Sequence, residues 1–465
     1  MKRYSVTLIG MGPRGLSVFE RLAAHARASL CPIDLILIEP GPCGPGVHAA
    51  RQPQHLVMDT PAGQVTVFPV AGTLDPAPAC VTPTLAEWAR AQGLRRYGAE
   101  VHRAGEGGAA IGDDDYLPRQ LLGRYLAWAY GAIAASLPPT VRLEHLRHRA
   151  VDMVRQPDGG FVVELDSGFC VASDFVFLAT GPSCRQLTDE EAQLRKFAQD
   201  HSRCNSRLRY LRHVYPLEQL GAISQQAEVA IGGMGAVAHD VLAELTVGRG
   251  GRFEQVGEQL RYVASSQEPR MTLFSRTGLA PCARACATPA PVTFHFFTAE
   301  ALRDLRARAR RERGDSQLDF ERQLLPLLLQ DMAYAFRCNQ DGQAPDPVWY
   351  RPGVEERRAI DALLFPLRGK AFAGAPEGAG EFSAFAERLL RDDIAQAQQA
   401  AATGILSPLQ AAASLLRAAA PLLRECVEHG GLQSASHRAF LDVFGPALAR
   451  AGAGAPSASG SSWPR

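Results

Sequence analysis

The sequence lacks the marks of several large classes of protein. Its ten cysteines are scattered over 465 residues without a C-x-x-C pair, which is too sparse for a disulfide scaffold. A formal net charge of +1 gives no strong electrostatic basis for binding nucleic acid or anionic membranes. No apolar run approaches the roughly 18 residues of a membrane span, since the longest, 33–38 and 175–179, are strand-sized. We therefore expect a protein that binds neither nucleic acid nor membrane.

Two further absences concern targeting and metals. Met1–Arg3 leads directly into a strand-like run that stops at Gly10, and no small-residue cleavage pattern follows, so we expect a cytoplasmic protein. Cys282 and Cys286 would be neighbours on a helix but have no matching second pair. Reduced thiols are favoured over a zinc site, and no metal is expected.

The N-terminal third alternates strand and helix patterns. Residues 4–9 and 33–38 are apolar and β-prone, and residues 16–28 between them have helical spacing. This β-α-β order predicts a parallel sheet with a right-handed crossover. A second such unit begins near residue 229, and helical patterns dominate after residue 299.

A complete G-x-G-x-x-G lies at the first turn, as Gly10-Met11-Gly12-Pro13-Arg14-Gly15. In such turns the first glycine makes the tight bend, the second lets the backbone approach a pyrophosphate, and the third lets helix and strand pack closely. Glu39 closes the second strand, where a carboxylate can accept both hydroxyls of an adenosine ribose. The alternative is a tight turn with Glu39 in a salt bridge.

The second glycine turn is Gly233-Met234-Gly235-Ala236. The strand that follows ends at Ser275-Arg276, where a unit specific for NAD would carry an acid. A hydroxyl and a guanidinium at that position favour the 2′-phosphate of NADPH over NADH. The alternative for Arg276 is a solvated side chain.

Two fingerprints in one chain predict two nucleotides, as in flavoproteins in which FAD takes the first site and NADPH delivers hydride from the second. The strand that ends in Ala179-Thr180-Gly181 supports this, because small residues let the backbone pass close to a flavin. We predict an α/β fold with two Rossmann-like dinucleotide-binding domains and a helical C-terminal region. The predicted ranges are 1–224 for FAD, 225–298 for NADPH, 299–451 for the helical region that partly completes the FAD domain, and 452–465 for a disordered tail.

Several stretches carry a resemblance to a known family. They are 6–22, the Val57-Met58-Asp59-Thr60-Pro61-Ala62-Gly63 segment, 116–126, 248–262, 268–278 and 430–437. Over roughly residues 4–450 the sequence resembles the FAD/NAD(P)-binding, N-oxygenase-like flavoproteins, which are relatives of the amino-acid N-hydroxylating monooxygenases. Members of that family continue with further segments, whereas this chain ends in a low-complexity stretch, so it is either a compact variant or a shortened product.

The resemblance implies hydride transfer from NADPH to FAD, followed by reaction with dioxygen and hydroxylation of an amino acid or another small amine. One rival is a flavin oxidoreductase that does not oxygenate, and another is an inactive FAD- and NADP-binding sensor or partner protein. A homo-oligomer is possible. No catalytic side-chain triad is required, because the flavin performs the difficult chemistry.

The candidate catalytic residues are Asp59, Thr60 and Arg119. The loop that contains His48, Arg51, His55 and Met58 is expected to cover the isoalloxazine, with Asp59 and Thr60 supplying hydrogen bonds; the alternative is a surface loop with capping residues. Arg119 begins a helix, where a cation is disfavoured unless it has an anionic partner. That partner is either a substrate carboxylate or cofactor phosphate, or a carboxylate of the protein itself.

Overall fold

The computed structural model describes residues 3–29, 31–48, 51–69, 75–78, 80, 82–98, 100–103, 107–157, 159–181, 186–256, 259–284, 292–368, 379–452 and 455–456. The chain divides into two compact units, of which one contains residues 1–225 and 240–268 and the other contains residues 226–239 and 269–460. Within the described ranges, no helix is both long and apolar enough to cross a membrane.

The N-terminal part follows the predicted β-α-β order. Its elements are β1 (Tyr4–Ile9), α1 (Pro13–Ser29), β2 (Ile33–Ile38), α2 (Leu85–Ala91), β3 (Leu94–Tyr97), β4 (Glu100–Arg103), β5 (Ala109–Ala110), α3 (Arg119–Ala135), β6 (Val141–Leu146), β7 (Ala150–Arg155), β8 (Phe161–Leu165), β9 (Cys170–Ser173), β10 (Phe175–Leu178) and α4 (Asp189–Asp200). Helix α3 begins at Arg119, because the extended backbone of Pro118, with ψ 136°, ends the preceding loop there.

The centre of the first unit is a four-stranded parallel sheet in the order β10-β1-β2-β6. Buried residues of the sheet, α1 and α3 form one core, in which Leu8, Phe19 and Tyr125 are fully buried. A second, smaller core joins the sheet to the antiparallel β7-β8-β9 sheet through residues such as Ile9 and Val163. Because apolar layers cover both faces, the central strands have nearly continuous hydrophobic sequences.

Next along the chain come β11 (Glu228–Gly232), α5 (Ala236–Leu245), β12 (Arg252–Val256), β13 (Gln259–Val263), β14 (Arg270–Phe274) and β15 (Ala283–Arg284). Strands β11 and β14 pair in parallel with Gly232 opposite Phe274. The second glycine turn therefore also lies in a β-α-β unit with parallel strands, as the sequence predicts.

The C-terminal part is helical. Its elements are α6 (Ala299–Arg313), α7 (Leu325–Asp341), α8 (Val354–Leu364), α9 (Ala379–Thr403), α10 (Pro408–Ala418), α11 (Ala420–Val427), α12 (Ser434–Ala439), α13 (Gly445–Gly452) and β16 (Ala455–Pro456). Two helical stretches, 408–427 and 434–452, are each divided into two α-helices, the second by a π-helical turn at Phe440–Phe444. These elements confirm the predicted α/β class with a helical C-terminal region. Most of the predicted 452–465 tail, and Cys286, lie outside the described residues.

Candidate functional site

The three glycines of the first turn meet different surroundings. Gly10 has a left-handed φ of +91°, and a Cβ atom there would lie 2.4 Å from the Ala179 carbonyl oxygen. A Cβ atom at Gly15 would lie 2.1 Å from the Gly10 carbonyl oxygen. At Gly12, by contrast, the nearest atom to a Cβ would be the Gly46 Cα at 3.5 Å, which is ordinary contact. The fold itself therefore requires glycine at 10 and 15, whereas packing within the protein would tolerate a Cβ atom at Gly12, the position at which such a turn lets the backbone approach a pyrophosphate.

Helix α1 starts directly after Gly12. Pro13 is its first residue, a position that suits the fixed φ of proline, and the exposed Arg14 follows. The Leu16 amide donates to the Gly12 carbonyl at 2.9 Å, which closes the first helical turn. The first amides of a helix have no partners within the helix and, together with its dipole, attract anions such as phosphate.

Glu39 lies at the carboxyl end of β2, beside the first turn. Its two carboxylate oxygens accept hydrogen bonds from the backbone amides of Met11 at 2.9 Å and Gly41 at 3.1 Å. His145 Nε2 lies 2.8 Å from the Glu39 backbone carbonyl. Because a carboxylate has about four acceptor positions, these bonds orient Glu39 and leave capacity for ribose hydroxyls.

The end of β10 completes this edge of the sheet. The Ala179 amide donates to the Ile9 carbonyl at 2.8 Å, so Thr180 and Gly181 follow beside Gly10. Both are exposed, and Gly181 has a φ of +76°. The structure thus brings together the predicted FAD-binding residues of the first turn, Glu39, Thr180 and Gly181 at the carboxyl ends of three parallel strands.

The segment proposed to cover the flavin is tied to the start of α3. The Met58 amide donates to the Leu117 carbonyl at 3.0 Å, and the Arg119 amide donates to the Leu56 carbonyl at 2.7 Å. The Thr60 hydroxyl donates to the exposed Asp59 carboxylate at 3.2 Å. Among the described residues no hydrogen bond joins these two side chains to the glycine turn.

Arg119 has an anionic partner from the protein itself. Its Nη1 and Nη2 donate to the two carboxylate oxygens of Asp240 at 2.5 and 2.8 Å, and Nη2 also donates to the Val57 carbonyl at 3.2 Å. The Tyr215 hydroxyl donates to the same carboxylate. Burial alone would lower the pKa of Arg119, but the hydrogen bonds and charge of Asp240 outweigh it and raise the pKa. Of the two alternatives for Arg119, the structure therefore has the local salt bridge.

Two histidines of the same segment differ in their surroundings. His55 Nε2 lies 2.8 Å from a carboxylate oxygen of Glu244, one helical turn after Asp240 on α5. His48 Nδ1 is buried and has no hydrogen-bond partner among the residues described. Burial, aided by the positive charge of Arg119, lowers the pKa of His48, so its imidazole is neutral near pH 7.

At the second glycine turn, Gly233 has a φ of +106°, and its amide donates to the Phe274 carbonyl at 2.8 Å. A Cβ atom at Gly235 would meet nothing within 4 Å, and the exposed Ala236 begins α5. Ser275 follows β14 directly, and its hydroxyl accepts a hydrogen bond from the Gly278 amide at 2.8 Å. These predicted NADPH-binding residues thus occupy equivalent positions at the ends of parallel strands.

Arg276 is exposed and forms no ion pair within the described part of the chain. Its guanidinium is therefore available to a phosphate from solvent. The described residues also contain no group of three or more His, Cys, Asp or Glu that could hold a metal ion.

The sequence interpretation missed Asp240, Tyr215 and Glu244. The spacing of Asp240 and Glu244 does signal one acidic face of α5, because residues four apart are neighbours on a helix. It contains no information about their partners Arg119 and His55, each of which lies more than a hundred residues away along the chain.

Comparisons with known proteins agree with this geometry. A family model described as FAD-NAD(P)-binding matches residues 7–183, which confirms the expectation of FAD and a nicotinamide dinucleotide. An L-aspartate N-monooxygenase (nitrosuccinate-forming) from Streptomyces davaonensis is 31% identical over 95% of this chain and 72% of its own length. The enzyme of the same name from Streptomyces cremeus is 30% identical over 95% and 70%. A nitrosuccinic acid synthase from Aspergillus oryzae is 28% identical over 94% and 67%.

These relatives match 95% of this chain. The chain therefore belongs to the FAD- and NAD(P)-binding family of amino-acid N-monooxygenases.

Proposed function

We propose that this flavin-dependent N-monooxygenase acts on L-aspartate, uses NADPH as the reductant, and oxidises the α-nitrogen toward nitrosuccinate. The observation that carries the proposal is that the three relatives, each similar over at least 94% of this chain, are named for nitrosuccinate or nitrosuccinic acid formation. The first oxidation balances as amine, dioxygen, NADPH and a proton giving hydroxylamine, water and NADP⁺.

The proposal assigns residues 1–224 to FAD and residues 225–298 to NADPH. Bound FAD supplies hydride acceptance and dioxygen activation, which no side chain of the protein can provide. The backbone at Gly12 and the start of α1 would receive the FAD pyrophosphate, and Glu39 would bind the ribose. Thr180 and Gly181, exposed at the end of β10, would line the flavin.

For NADPH, we assign the pyrophosphate to Gly233, Gly235 and Ala236 at the start of α5. Ser275 and Arg276 would bind the 2′-phosphate, because a hydroxyl and an unpaired guanidinium both donate hydrogen bonds to phosphate. An acidic side chain at either position would repel that phosphate.

Around the reacting centre, the segment from Val57 to Thr60 would exclude water, with Asp59 and Thr60 donating or accepting hydrogen bonds. Arg119 acts as a positioning residue, since its guanidinium holds the Val57 carbonyl while Asp240 neutralises its charge. The carboxylates of aspartate then need another cation. Arg51 is exposed in the same loop without an ion-pair partner among the described residues, and we assign it this role.

The test is a panel of amines supplied to the purified FAD-loaded protein with NADPH. L-aspartate, L-glutamate, L-asparagine and L-ornithine are compared for stimulated NADPH oxidation and, by mass spectrometry, for oxygenated nitrogen. We expect L-aspartate to stimulate NADPH oxidation most and to yield its hydroxylamine or nitrosuccinate. N-oxygenation of a different amine in preference to L-aspartate would contradict the proposed substrate.

A further inference from the structure

A cavity lies within the helical part of the second unit. Its volume is about 220 Å³, more than tenfold the roughly 10–15 Å³ that a single water needs. Most of its wall is apolar and comes from side chains near β15 and on α8, α9 and α10, among them Leu279, Leu363, Leu389 and Leu409. The space therefore suits a small organic molecule with an apolar portion.

The same wall contains a carboxylate with spare acceptor capacity. Asp393 accepts a hydrogen bond from the Ala283 amide through one oxygen, and its other oxygen has no partner among the described residues. Burial raises the pKa of Asp393, whereas its bond to Ala283 and the nearby charge of Arg450 act in the opposite direction. A half-buried carboxylate of this kind is stabilised by any cationic donor that reaches it.

A guanidinium faces the cavity as well. Arg450 donates to the Cys282 sulfur at 3.3 Å and to the Leu363 carbonyl, and no carboxylate in the described ranges forms an ion pair with it. A thiol is a weak acceptor, so this guanidinium retains donors for a stronger one. Arg417, another lining residue, donates to the Ser414 hydroxyl at 2.5 Å.

An independent observation comes from Gln410, which lines the cavity and is 5% exposed. Its Oε1 accepts a hydrogen bond from the Ser407 amide, which fixes the orientation of the side-chain amide. Its Nε2 is buried and has no partner within the described part of the chain. A buried donor without an acceptor is destabilising, and an acceptor on a ligand would remove that cost.

A single ligand could bind both the Asp393 carboxylate and the Arg450 guanidinium. Asp393 and Arg450 lie on the same cavity and form no direct ion pair with each other, although the charges of Arg450 and Arg417 both act on Asp393. Half-buried charged groups gain from a direct partner that replaces lost water. A molecule with one ammonium, one carboxylate and an apolar body satisfies both charges and fills the apolar wall.

We propose that this cavity binds an α-amino acid with an aliphatic side chain, its ammonium group at Asp393 and its carboxylate at Arg450. The proposal is separate from the proposed reaction, because the apolar wall does not suit the second carboxylate of aspartate. The binding is non-covalent and involves no redox step.

The test is isothermal titration calorimetry of the full-length, FAD-loaded protein with L-leucine as the probe. Two analogues each lack one charge: 3-methylbutylamine has no carboxylate, and 4-methylpentanoate has no ammonium. We expect saturable binding of L-leucine and at least about tenfold weaker binding of either analogue, since each loses one charge-assisted interaction. Absence of saturable binding for L-leucine and L-valine, or equally tight binding of L-aspartate, would overturn the proposal.

Substitutions of residues that line the cavity test whether L-leucine binds there. Asp393→Asn keeps an acceptor for the Ala283 amide but removes the charge, and we expect it to weaken L-leucine binding at least about tenfold. Ala386→Leu narrows the cavity without changing its charge, and we expect it to weaken L-leucine binding as well. This variant tests the location even if Asp393→Asn does not fold. Glu387→Gln is the matched control on α9, where Glu387 pairs with Arg391 at the surface, and it should bind like the unaltered protein. Unchanged affinity in folded Asp393→Asn or Ala386→Leu protein would refute the location.

Discussion

The contrast between Gly12 and Gly15 separates nucleotide binding from the needs of the fold. In Gly12→Ala the new Cβ would lie 3.5 Å from the Gly46 Cα, an ordinary contact. The apoprotein should therefore be as stable as the unaltered protein, or gain up to about 1 kcal/mol from reduced freedom of the unfolded chain. The same Cβ enters the space that we assign to the FAD pyrophosphate. We expect FAD affinity to fall at least about tenfold, or about 1.4 kcal/mol.

Gly15→Ala, unlike Gly12→Ala, should destabilise the apoprotein. Its Cβ would lie 2.1 Å from the Gly10 carbonyl oxygen, which is 1.3 Å inside the 3.4 Å where ordinary contact begins. The Gly10 carbonyl belongs to the backbone of the glycine turn, so relief of this contact requires the turn itself to move. We expect the free energy of unfolding of the apoprotein to fall by about 1–3 kcal/mol or more.

The assay measures two quantities on each variant. Urea unfolding is followed on FAD-free protein, because bound ligand would add its own binding free energy to stability. FAD affinity is then obtained by titrating flavin into the same apoprotein. The reasoning fails if Gly12→Ala binds FAD as tightly as the unaltered protein, or if the two variants lose equal stability.

Three further predictions test other parts of the site. Asp240→Asn leaves the largely buried Arg119 without a charged partner and should lower the free energy of unfolding, measured in urea titrations, by about 2–4 kcal/mol. Glu100→Gln, which removes the carboxylate of an exposed pair with His102, should lower it by less than about 1 kcal/mol. Equal losses in the two variants would contradict this prediction. Arg276→Ala should raise the Michaelis constant for NADPH far more than that for NADH, and equal effects would exclude 2′-phosphate binding. Because burial lowers the pKa of His48, the unfolded chain binds more protons than the folded chain between the folded-state pKa of His48 and about pH 6.5. The free energy of unfolding should therefore fall as the pH falls through that window, by at most about 1.4 kcal/mol per pH unit for this one group. His48→Gln should remove that contribution, and an unchanged pH dependence of urea unfolding would refute it.

Local pattern was sufficient to predict the dinucleotide turns. The alternation of strand, glycine turn and helix depends on neighbouring residues, so β1, α1 and β2 lie close to where the sequence places them. The position of Glu39 beside the glycine turn was also predictable, because the carboxyl ends of adjacent parallel strands meet at one edge. Its bonds to the Met11 and Gly41 amides were not, since they depend on how the following loop turns back.

The partner of Arg119 illustrates what a single sequence does not contain. Helix dipole reasoning required an anion near Arg119, but Asp240 is 121 positions away and reaches it only through the tertiary fold. The same holds for the cavity near Asp393, whose wall combines helices that are separated by connecting segments. Periodicity predicts that such helices bury apolar faces, but it does not predict where their packing leaves space.

If one chain binds both nucleotides, the nicotinamide should reduce the flavin directly. This is measured by mixing FAD-loaded protein with NADPH in the absence of oxygen and following the visible absorbance of the flavin. We expect NADPH to bleach the bound FAD in proportion to the NADPH oxidised. Protein that is saturated with FAD but keeps its full flavin absorbance with excess NADPH would contradict it.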